Sequence, residues 1–209
     1  TEGYGSYLIP AVMMIIIFQT LLMVIGMVTG EEYSSDGIRT YAPFGHTWAA
    51  AIRIVAGKAF VYCGLYAIFS FFLLGLLPYF FSIPNIGNGL YIVLLMIPYL
   101  LATSFLGLAA SRYFTDSEAP LLMIAFFSVG LIFLSGVSYP MELMPWYWKA
   151  AHYILPAAPA TLAFVQLNSM GASMADIRPE YITLWIQVLV YFILSIWVYQ
   201  KKLQKSQLR

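Results

Sequence analysis

The sequence predicts an all-α integral membrane protein with five membrane-spanning helices and one further apolar segment that enters the membrane without crossing it. Three observations lead to this prediction. Of the 209 residues, 62% are hydrophobic and only 9% are charged, whereas soluble domains carry about 25% charged residues. The mean hydropathy is +0.83. The apolar residues also form runs of bilayer length, and most of the charged residues lie between these runs.

Five apolar runs approach the ~20 residues that a helix needs to cross the hydrocarbon core. They are residues 7–28, 59–81, 90–110, 120–137 and 182–199. Backbone polar groups in lipid must be paired within the protein, so these spans are expected to be helices. Strands of a membrane barrel would be shorter and would alternate strictly between polar and apolar residues.

The distribution of basic residues decides whether residues 150–167 form a sixth span. Lys and Arg concentrate in cytoplasmic loops. Five spans with an external N-terminus leave only Lys149 and Arg178 outside, whereas six spans would place five basic residues on each side. Pro156 and Pro159 would also break a sixth helix near its middle. The eight basic residues predicted inside are Arg39, Arg53, Lys58, Arg112, Lys201, Lys202, Lys205 and Arg209.

Residues 138–167 are therefore predicted to form an extracytoplasmic re-entrant segment, in which prolines end short half-helices. On the cytoplasmic side, the longest connector is residues 30–58, which mix acidic, aromatic and basic side chains. Asp36-Gly37 and Pro43 predict turns there, and residues 47–55 are expected to form a short helix along the membrane surface. The chain begins without Met and without a basic stretch before an apolar core, so its start is not expected to be a signal peptide.

Several kinds of chemistry are excluded by the sequence. No phosphate-binding loop of the form G-x-x-x-x-G-K-[ST] is present, and no basic patch indicates nucleic acid as a partner. His46 and His152 lie on opposite sides of the predicted membrane and cannot share a metal. Ser135 has no His at its depth to act as a base. The predicted spans contain no Asp, Glu, Lys or Arg, which argues against proton-coupled transport and favours energy supplied by a partner subunit.

The stretch "FLSGVSYPMELMPWYWKAAHYILPAAP" resembles the signature of ABC type 2 exporter permeases. In that family a Ser-Gly pair at the outer end of the fifth of six spans is followed by a Pro, a Met-Pro pair, an aromatic stretch and a turn with two prolines. The matching residues, which the resemblance assigns to an outer gate or re-entrant motif, are Ser135, Gly136, Pro140, Met144, Pro145, Trp146, Pro156 and Pro159.

The connector at residues 30–58 also resembles the family, whose loop has an acidic start, a later Gly, and a Gly-Lys pair before the next span. The family's compact form is Glu-Arg/Lys-Glu-x-Gly; here the second position is acidic and the glycine lies further away. The order of the spans resembles spans two to six of such a permease, so the first span is expected to precede residue 1. The resemblance assigns to an ATPase-coupling loop the residues Glu31, Glu32, Gly37, Arg39, Gly57 and Lys58.

The resemblance implies a membrane subunit of an ATP-driven exporter that is not itself an enzyme. Its partners would be an ABC ATPase subunit, which would hold ATP and Mg²⁺, a second permease copy or paralogue, and membrane lipid. The expected location is the plasma (inner) membrane of a bacterium, with a cytoplasmic C-terminus. The apolar spans favour an amphipathic or hydrophobic substrate. The alternative is a membrane-embedded enzyme or assembly factor that acts on a lipid-like substrate.

Overall fold

In a computed structural model, the chain is helical throughout most of the part that the structure describes, which comprises residues 5–34, 47–81, 86–111, 113, 130–139 and 141–205. A π-helical turn spans Phe72–Leu76, and a 3-10 turn spans Met141–Leu143. The α-helices of eight residues or more, with the short α3, are α1 Gly5–Ser34, α2 Trp48–Phe71, α3 Leu77–Phe80, α4 Gly89–Ala110, α5 Trp146–Ile154, α6 Ala157–Ser169 and α7 Arg178–Lys205.

The predicted all-helical membrane fold is confirmed. Four stretches are long and apolar enough to cross a membrane: Leu8–Glu32, Trp48–Phe80, Gly89–Ala110 and Arg178–Gln204. These stretches cover all or nearly all residues of four of the five predicted spans: 7–28, 59–81, 90–110 and 182–199. Of the remaining predicted span, residues 120–137, the structure describes only the part from 130 onward, where residues 130–134 are helical.

The prediction of one connector over residues 30–58, with a separate surface helix at 47–55, is wrong. Helix α1 continues through Ser34, and α2 begins at Trp48 and runs without a break to Phe71, so residues 48–55 belong to one of the stretches long and apolar enough to cross a membrane. The Thr47 hydroxyl oxygen accepts a hydrogen bond from the Ala50 N–H at 3.3 Å and so caps α2. Gly57 lies in an alanine-rich stretch, and one glycine in a helix costs only about 1 kcal/mol, which is too little to end it.

Helices α2 and α3 with the π-helical turn form the longest apolar stretch. Its 33 residues correspond to ~50 Å at 1.5 Å per residue, which exceeds the ~30 Å hydrocarbon core. The first turns, which carry Arg53 and Lys58, can therefore extend to the membrane edge. This excess length explains how two basic residues belong to the same helix as a membrane span.

Helix α4 lies at the centre of the bundle and packs against α1, α2, α6 and α7. Its Tyr99 is fully buried and donates a hydrogen bond to the carbonyl oxygen of Met14 in α1 at 2.6 Å. Helix α6 packs on α1, α4 and α7, and its buried residues include Ala157, Ala160 and Ala163. Small residues allow helix backbones to approach closely where lipid gives no hydrophobic driving force.

Candidate functional site

One end of the bundle holds a group of polar side chains from three helices and the end of a fourth, which we call the polar cluster: Glu32, Lys58, Ser111, Tyr199 and Lys202. Lys58 Nζ lies 2.6 and 2.5 Å from the two carboxylate oxygens of Glu32. It also donates to the Tyr199 hydroxyl at 3.2 Å. The side chains of Lys58 and Glu32 are 13% and 22% exposed. Removing one member of such a shielded pair leaves a charge without its partner, which is costly.

Lys202 extends the polar cluster to α4. Its Nζ donates to the carbonyl oxygen and the hydroxyl oxygen of Ser111 at 3.1 and 2.9 Å. Ser111 is the C-cap residue of α4, where carbonyls lack helical partners and the helix dipole attracts cations. The ammonium groups of Lys58 and Lys202 lie 5.3 and 5.2 Å from the centre of the Tyr199 ring, within cation–π range. Tyr199 thus joins α1 and α2 to α4 and α7.

At the other end of the bundle, α5 and α6 meet at an angle of 87°; we call residues 141–169 the bent segment. Gln187 Nε2 donates to the carbonyl oxygen of Tyr153 at 2.7 Å, and the Tyr191 hydroxyl donates to that of Ile154. Gln187 and Tyr191 lie four residues apart on one face of α7. The last carbonyls of a helix need partners that lipid cannot supply. These two side chains therefore allow the chain to turn in apolar surroundings.

The end of α6 returns to the connection between α3 and α4. The Ile86 N–H donates to the carbonyl oxygen of Asn168 at 3.1 Å. A Cβ atom on Gly87 would lie 2.5 Å from the carbonyl oxygen of Leu167, so only glycine permits this approach. The 13 residues of α6 correspond to ~20 Å, which is shorter than the ~30 Å hydrocarbon core. The geometry is that of a broken or re-entrant element.

The helix at residues 130–134, which precedes the bent segment, is ended by Ser135 and Gly136. Gly136 has φ +80°, a left-handed conformation that commonly ends helices and favours glycine. The Ser135 hydroxyl donates to the carbonyl oxygen of Ile132 at 2.7 Å. His152 of α5 is 1% exposed, and its Nδ1 lies 2.8 Å from the carbonyl oxygen of Leu134. A carbonyl only accepts, so Nδ1 carries the hydrogen and ties α5 to the end of this helix. His152 therefore contacts the residue next to Ser135, and the prediction that no His lies at the depth of Ser135 is wrong.

The prolines of the bent segment stand at helix starts. Pro145 and Pro156 are the N-cap residues of α5 and α6, and Pro159 lies in the first turn of α6. Backbone N–H groups in a first turn have no helical acceptor, so proline is tolerated there. Each proline therefore allows a new helix to begin in a new direction.

Most of the aromatic side chains of α5 are exposed. Trp146 is 80% exposed and packs edge to face on Tyr147, with ring centres 5.9 Å apart. Exposed Trp and Tyr side chains are typical of membrane–water interfaces. Beside them lies a cavity of about 360 Å³ lined by Phe133, Tyr139, Met144, Pro145 and Trp148.

The loop between α6 and α7 is polar. Gly171 has φ +65°, and the Ser173 N–H and hydroxyl both donate to one carboxylate oxygen of Asp176 at 2.8 Å. These hydrogen bonds lower the pKa of Asp176. The carboxylate is therefore kept charged at this end of the bundle.

Comparison with protein families agrees with this architecture. The family described as "ABC-2 family transporter protein" matches residues 1–197. The chain belongs to this ABC-2 family. It is accordingly a transport permease and an integral membrane protein, and permeases of this family normally work with an ABC ATPase. No curated protein and no solved structure shows a significant match to it.

In this ABC-2 permease, the residues predicted for ATPase coupling take different positions. Glu31 lies exposed in the last turn of α1, whereas Glu32 and Lys58 contact each other in the polar cluster. Gly57 lies inside α2, and a Cβ atom there would meet nothing within 4 Å. Gly37 and Arg39 lie outside the described residues.

The predicted outer motif of the permease is brought together around the start of the bent segment. Ser135 and Gly136 end one helix, Met144 is 7% exposed, and Pro145 and Trp146 begin α5. Pro156 and Pro159 begin α6, and Pro140 lies outside the described residues.

The sequence did not reveal which side chains form the hydrogen bonds in the polar cluster and around the bent segment. These are Ser111, His152, Tyr191, Tyr199 and Lys202. Gln187 of α7 donates to a backbone carbonyl oxygen of α5 and so forms a hydrogen bond between two helices. The spacing of Gln187 and Tyr191 by four residues in an otherwise apolar helix was the available signal.

Proposed function

We propose that the chain is the permease subunit of an ATP-driven ABC exporter that moves an amphipathic or hydrophobic substrate out of the cytoplasm or the inner leaflet. It works with a second permease copy or a paralogue and with separate ABC ATPase subunits. Those subunits bind ATP and Mg²⁺. The complex lies in the plasma (inner) membrane of a bacterium, with the C-terminus of this chain in the cytoplasm and residue 1 outside.

The observation that carries the proposal is the polar cluster beside the α1–α2 connector. The connector joins Ser34 to Trp48, and immediately beside it Glu32 of α1 binds Lys58 of α2. Through Tyr199 and Lys202, the same cluster holds α7 and the end of α4. A displacement of the connector would therefore move several spans together, as in rigid-body transitions that carry signals between subunits.

The charges at the two ends support the orientation. The polar cluster end carries Lys58, Lys201 and Lys202, while the bent segment lies at the opposite end. Basic residues concentrate on the cytoplasmic side of membrane proteins. Lys201 lies 3.7 Å from the ring centre of Trp197, an arrangement suited to a helix end at the membrane–water interface.

The polar cluster also divides the proposed coupling residues into two roles. Glu31 is exposed at the end of α1 and, with Arg39, is assigned to direct contact with the ATPase. Glu32 and Lys58 are shielded and paired, so they are assigned to positioning α1 against α2. Gly37 is assigned to a turn of the connector and Gly57 to the helical stretch before Lys58.

The proposal is tested by purifying the tagged permease from its native membrane and identifying ATPases that accompany it. We expect an ABC ATPase with the wild-type chain and its loss with Glu31→Lys. Asp176→Lys makes the same change of charge on the exposed loop at the opposite end and should keep the ATPase. The exporter proposal is wrong if wild-type protein carries no ATPase and acts on a substrate alone, as a membrane-embedded enzyme would.

A further inference from the structure

A second cavity of about 590 Å³ lies between α2 and α4. It shares no lining residue with the polar cluster or with the aromatic cavity beside α5. Its walls are apolar except for Ser70 and Cys63. Some of its lining residues face outward: Phe71 is 70%, Val93 59% and Ile97 47% exposed. The cavity is therefore a groove that continues into the lipid-facing surface of the permease.

The two helices that form the walls of the groove, α2 with its π-helical extension and α4, each depart from regular α-helix geometry at one place. The π-helical turn Phe72–Leu76 lies in the α2 wall, and the Leu77 N–H donates to the carbonyl oxygen of Phe72, five residues back. In α4, Pro98 removes the N–H that would bind the carbonyl oxygen of Leu94. Such π-helical turns are frequent at functional sites. The helix that forms each wall of the groove thus contains one local distortion.

Two small residues and one hydroxyl shape the interior of the groove. Gly75 and Gly89 line it without side chains, and a Cβ atom on Gly75 would only reach the Phe71 ring at 3.9 Å. Ser70 also lines the groove and is 4% exposed, and its buried hydroxyl oxygen has no hydrogen-bond partner within the described residues.

The length of the groove matches one leaflet of a bilayer. Its α4 wall extends from Gly89 to Leu101, which is ~18 Å at 1.5 Å per residue. Half of a ~30 Å hydrocarbon core is ~15 Å. The groove begins at Gly89, next to the contact between Ile86 and Asn168, and it therefore covers the leaflet on the side of α6's C-terminal end.

We propose that this groove binds one hydrocarbon chain of a membrane phospholipid from the leaflet next to the end of α6. The chain lies parallel to α4, against the π-helical turn and Gly75, and the phospholipid headgroup lies near Gly89. The groove's continuity with the lipid-facing surface supplies the route of entry. This site does not depend on the proposed exporter function.

A photoreactive phospholipid tests the site. Purified permease is reconstituted in vesicles of phosphatidylethanolamine and phosphatidylglycerol that contain a phospholipid with a diazirine midway along one chain. After irradiation, modified residues are mapped by mass spectrometry. We expect labelling concentrated on the groove residues, Ser70 and Met96 among them, and a several-fold loss with Gly75→Leu, which fills the groove.

The matched control is Gly64→Leu, an equal change on α2 outside the groove lining, where a Cβ atom meets nothing within 4 Å. It should keep the labelling. Ile97→Trp is a second blocking variant at a half-exposed lining position and should also reduce it, and thermal unfolding checks that each variant is folded.

Two outcomes overturn the proposal. One is uniform labelling of all lipid-facing positions of α2 that Gly75→Leu does not change, which indicates lipid at the surface only. The other is cross-linking of Cys63, the single cysteine, to Cys63 of a second copy, which indicates that protein fills the groove. The labelling experiment does not require an ATPase partner. The groove proposal and the exporter proposal can therefore fail independently of each other.

Discussion

Buried polar side chains hold the backbone where the helices end. His152, Gln187 and Tyr191 each donate to a carbonyl oxygen near a break in the chain, and Lys202 donates to that of Ser111 at the end of α4. In an apolar medium an unpaired carbonyl costs several kcal/mol. These residues therefore make the breaks in the helices possible. Of the four, only His152 lies within the stretch that resembles the family signature.

The ion pair between Glu32 and Lys58 is expected to stabilise the folded permease. Glu32→Gln or Lys58→Met should each lower the free energy of unfolding in detergent micelles by about 2 kcal/mol, below the 3–5 kcal/mol for a fully buried pair because both side chains are partly exposed. The double variant Glu32→Lys/Lys58→Glu should recover part of the loss, since the pair re-forms with reversed charges.

Lys201→Met is the control for this pair, because it removes the same charge from an exposed neighbour of the polar cluster. It should change stability by less than about 1 kcal/mol, as surface charges usually do. Equal losses for Lys58→Met and Lys201→Met, with no recovery in the double variant, would show that the pair does not stabilise the helices.

Sequence reasoning identified Glu32 and Lys58 as polar residues near the connector, but it did not find their partners. Lys58 lies 26 residues from Glu32 and 141 residues from Tyr199. No local spacing rule connects positions that far apart. Only the packing of α7 against α2 brings them within hydrogen-bond distance.

At the scale of elements, glycines do not all end helices. Gly30 and Gly57 lie inside α1 and α2, whereas Gly136 and Gly171 have positive φ and follow helix ends. The difference lies in context. A single glycine costs a helix about 1 kcal/mol, which the surrounding helix formers offset, while a left-handed glycine also lets the chain leave the helix axis.

Gly87 and Gly89 give a matched prediction for the contact between the α3–α4 connection and α6. Gly87→Ala should lower the thermal unfolding midpoint by several degrees, because its Cβ atom would lie 2.5 Å from the carbonyl oxygen of Leu167. Such a clash with backbone forces both segments to shift, typically at about 1–3 kcal/mol. The measurement is thermal unfolding of purified protein in detergent.

Gly89→Ala is the control, because a Cβ atom at that position meets nothing within 4 Å. It should leave the unfolding midpoint unchanged or slightly raised, since alanine favours a helix start over glycine. If the two variants behaved alike, the close approach of Gly87 to α6 would not be present in the folded protein.

At the scale of the whole molecule, a polar cluster lies at one end of the bundle and a bent segment at the other. The spans between them carry apolar side chains on both their packed and lipid-facing sides. The ion pair of Glu32 and Lys58 lies at one end, and the exposed aromatic side chains of α5 lie at the other. The described helices thus connect two chemically different surfaces.

The proposed orientation predicts the accessibility of three positions. In a Cys63→Ala background, Asn88→Cys and Ser173→Cys should react with a membrane-impermeant maleimide on intact cells. Gln204→Cys should react only after the membrane is permeabilised. All three positions are exposed, so burial would not prevent the reaction. The readout is the mass shift of the labelled protein.

A crossing of the membrane by residues 150–167 would reverse two of these results. Gln204→Cys would then react on intact cells, Ser173→Cys would not, and Asn88→Cys would be unchanged as an internal control. That outcome would overturn the five-span topology and with it the cytoplasmic position of the C-terminus.

The membrane character, four of the helical stretches and the family can be predicted from the order of the residues. These properties depend on local composition and order: apolar runs of bilayer length, basic residues between them, and the succession of Ser135-Gly136, Met144-Pro145 and Pro156. Hydropathy and proline geometry act over a few neighbouring residues, so they can be derived without knowledge of the packing.

Packing between helices sets where the helices continue and what their polar side chains bind. Helices α1 and α2 extend past the predicted spans, Glu32 and Lys58 pair with each other, and the α2–α4 groove opens beside the π-helical turn. Each of these features depends on contacts between segments far apart in sequence. Such contacts are set by how the helices pack, because the free energy of a polar group in an apolar medium depends on the partner that packing provides.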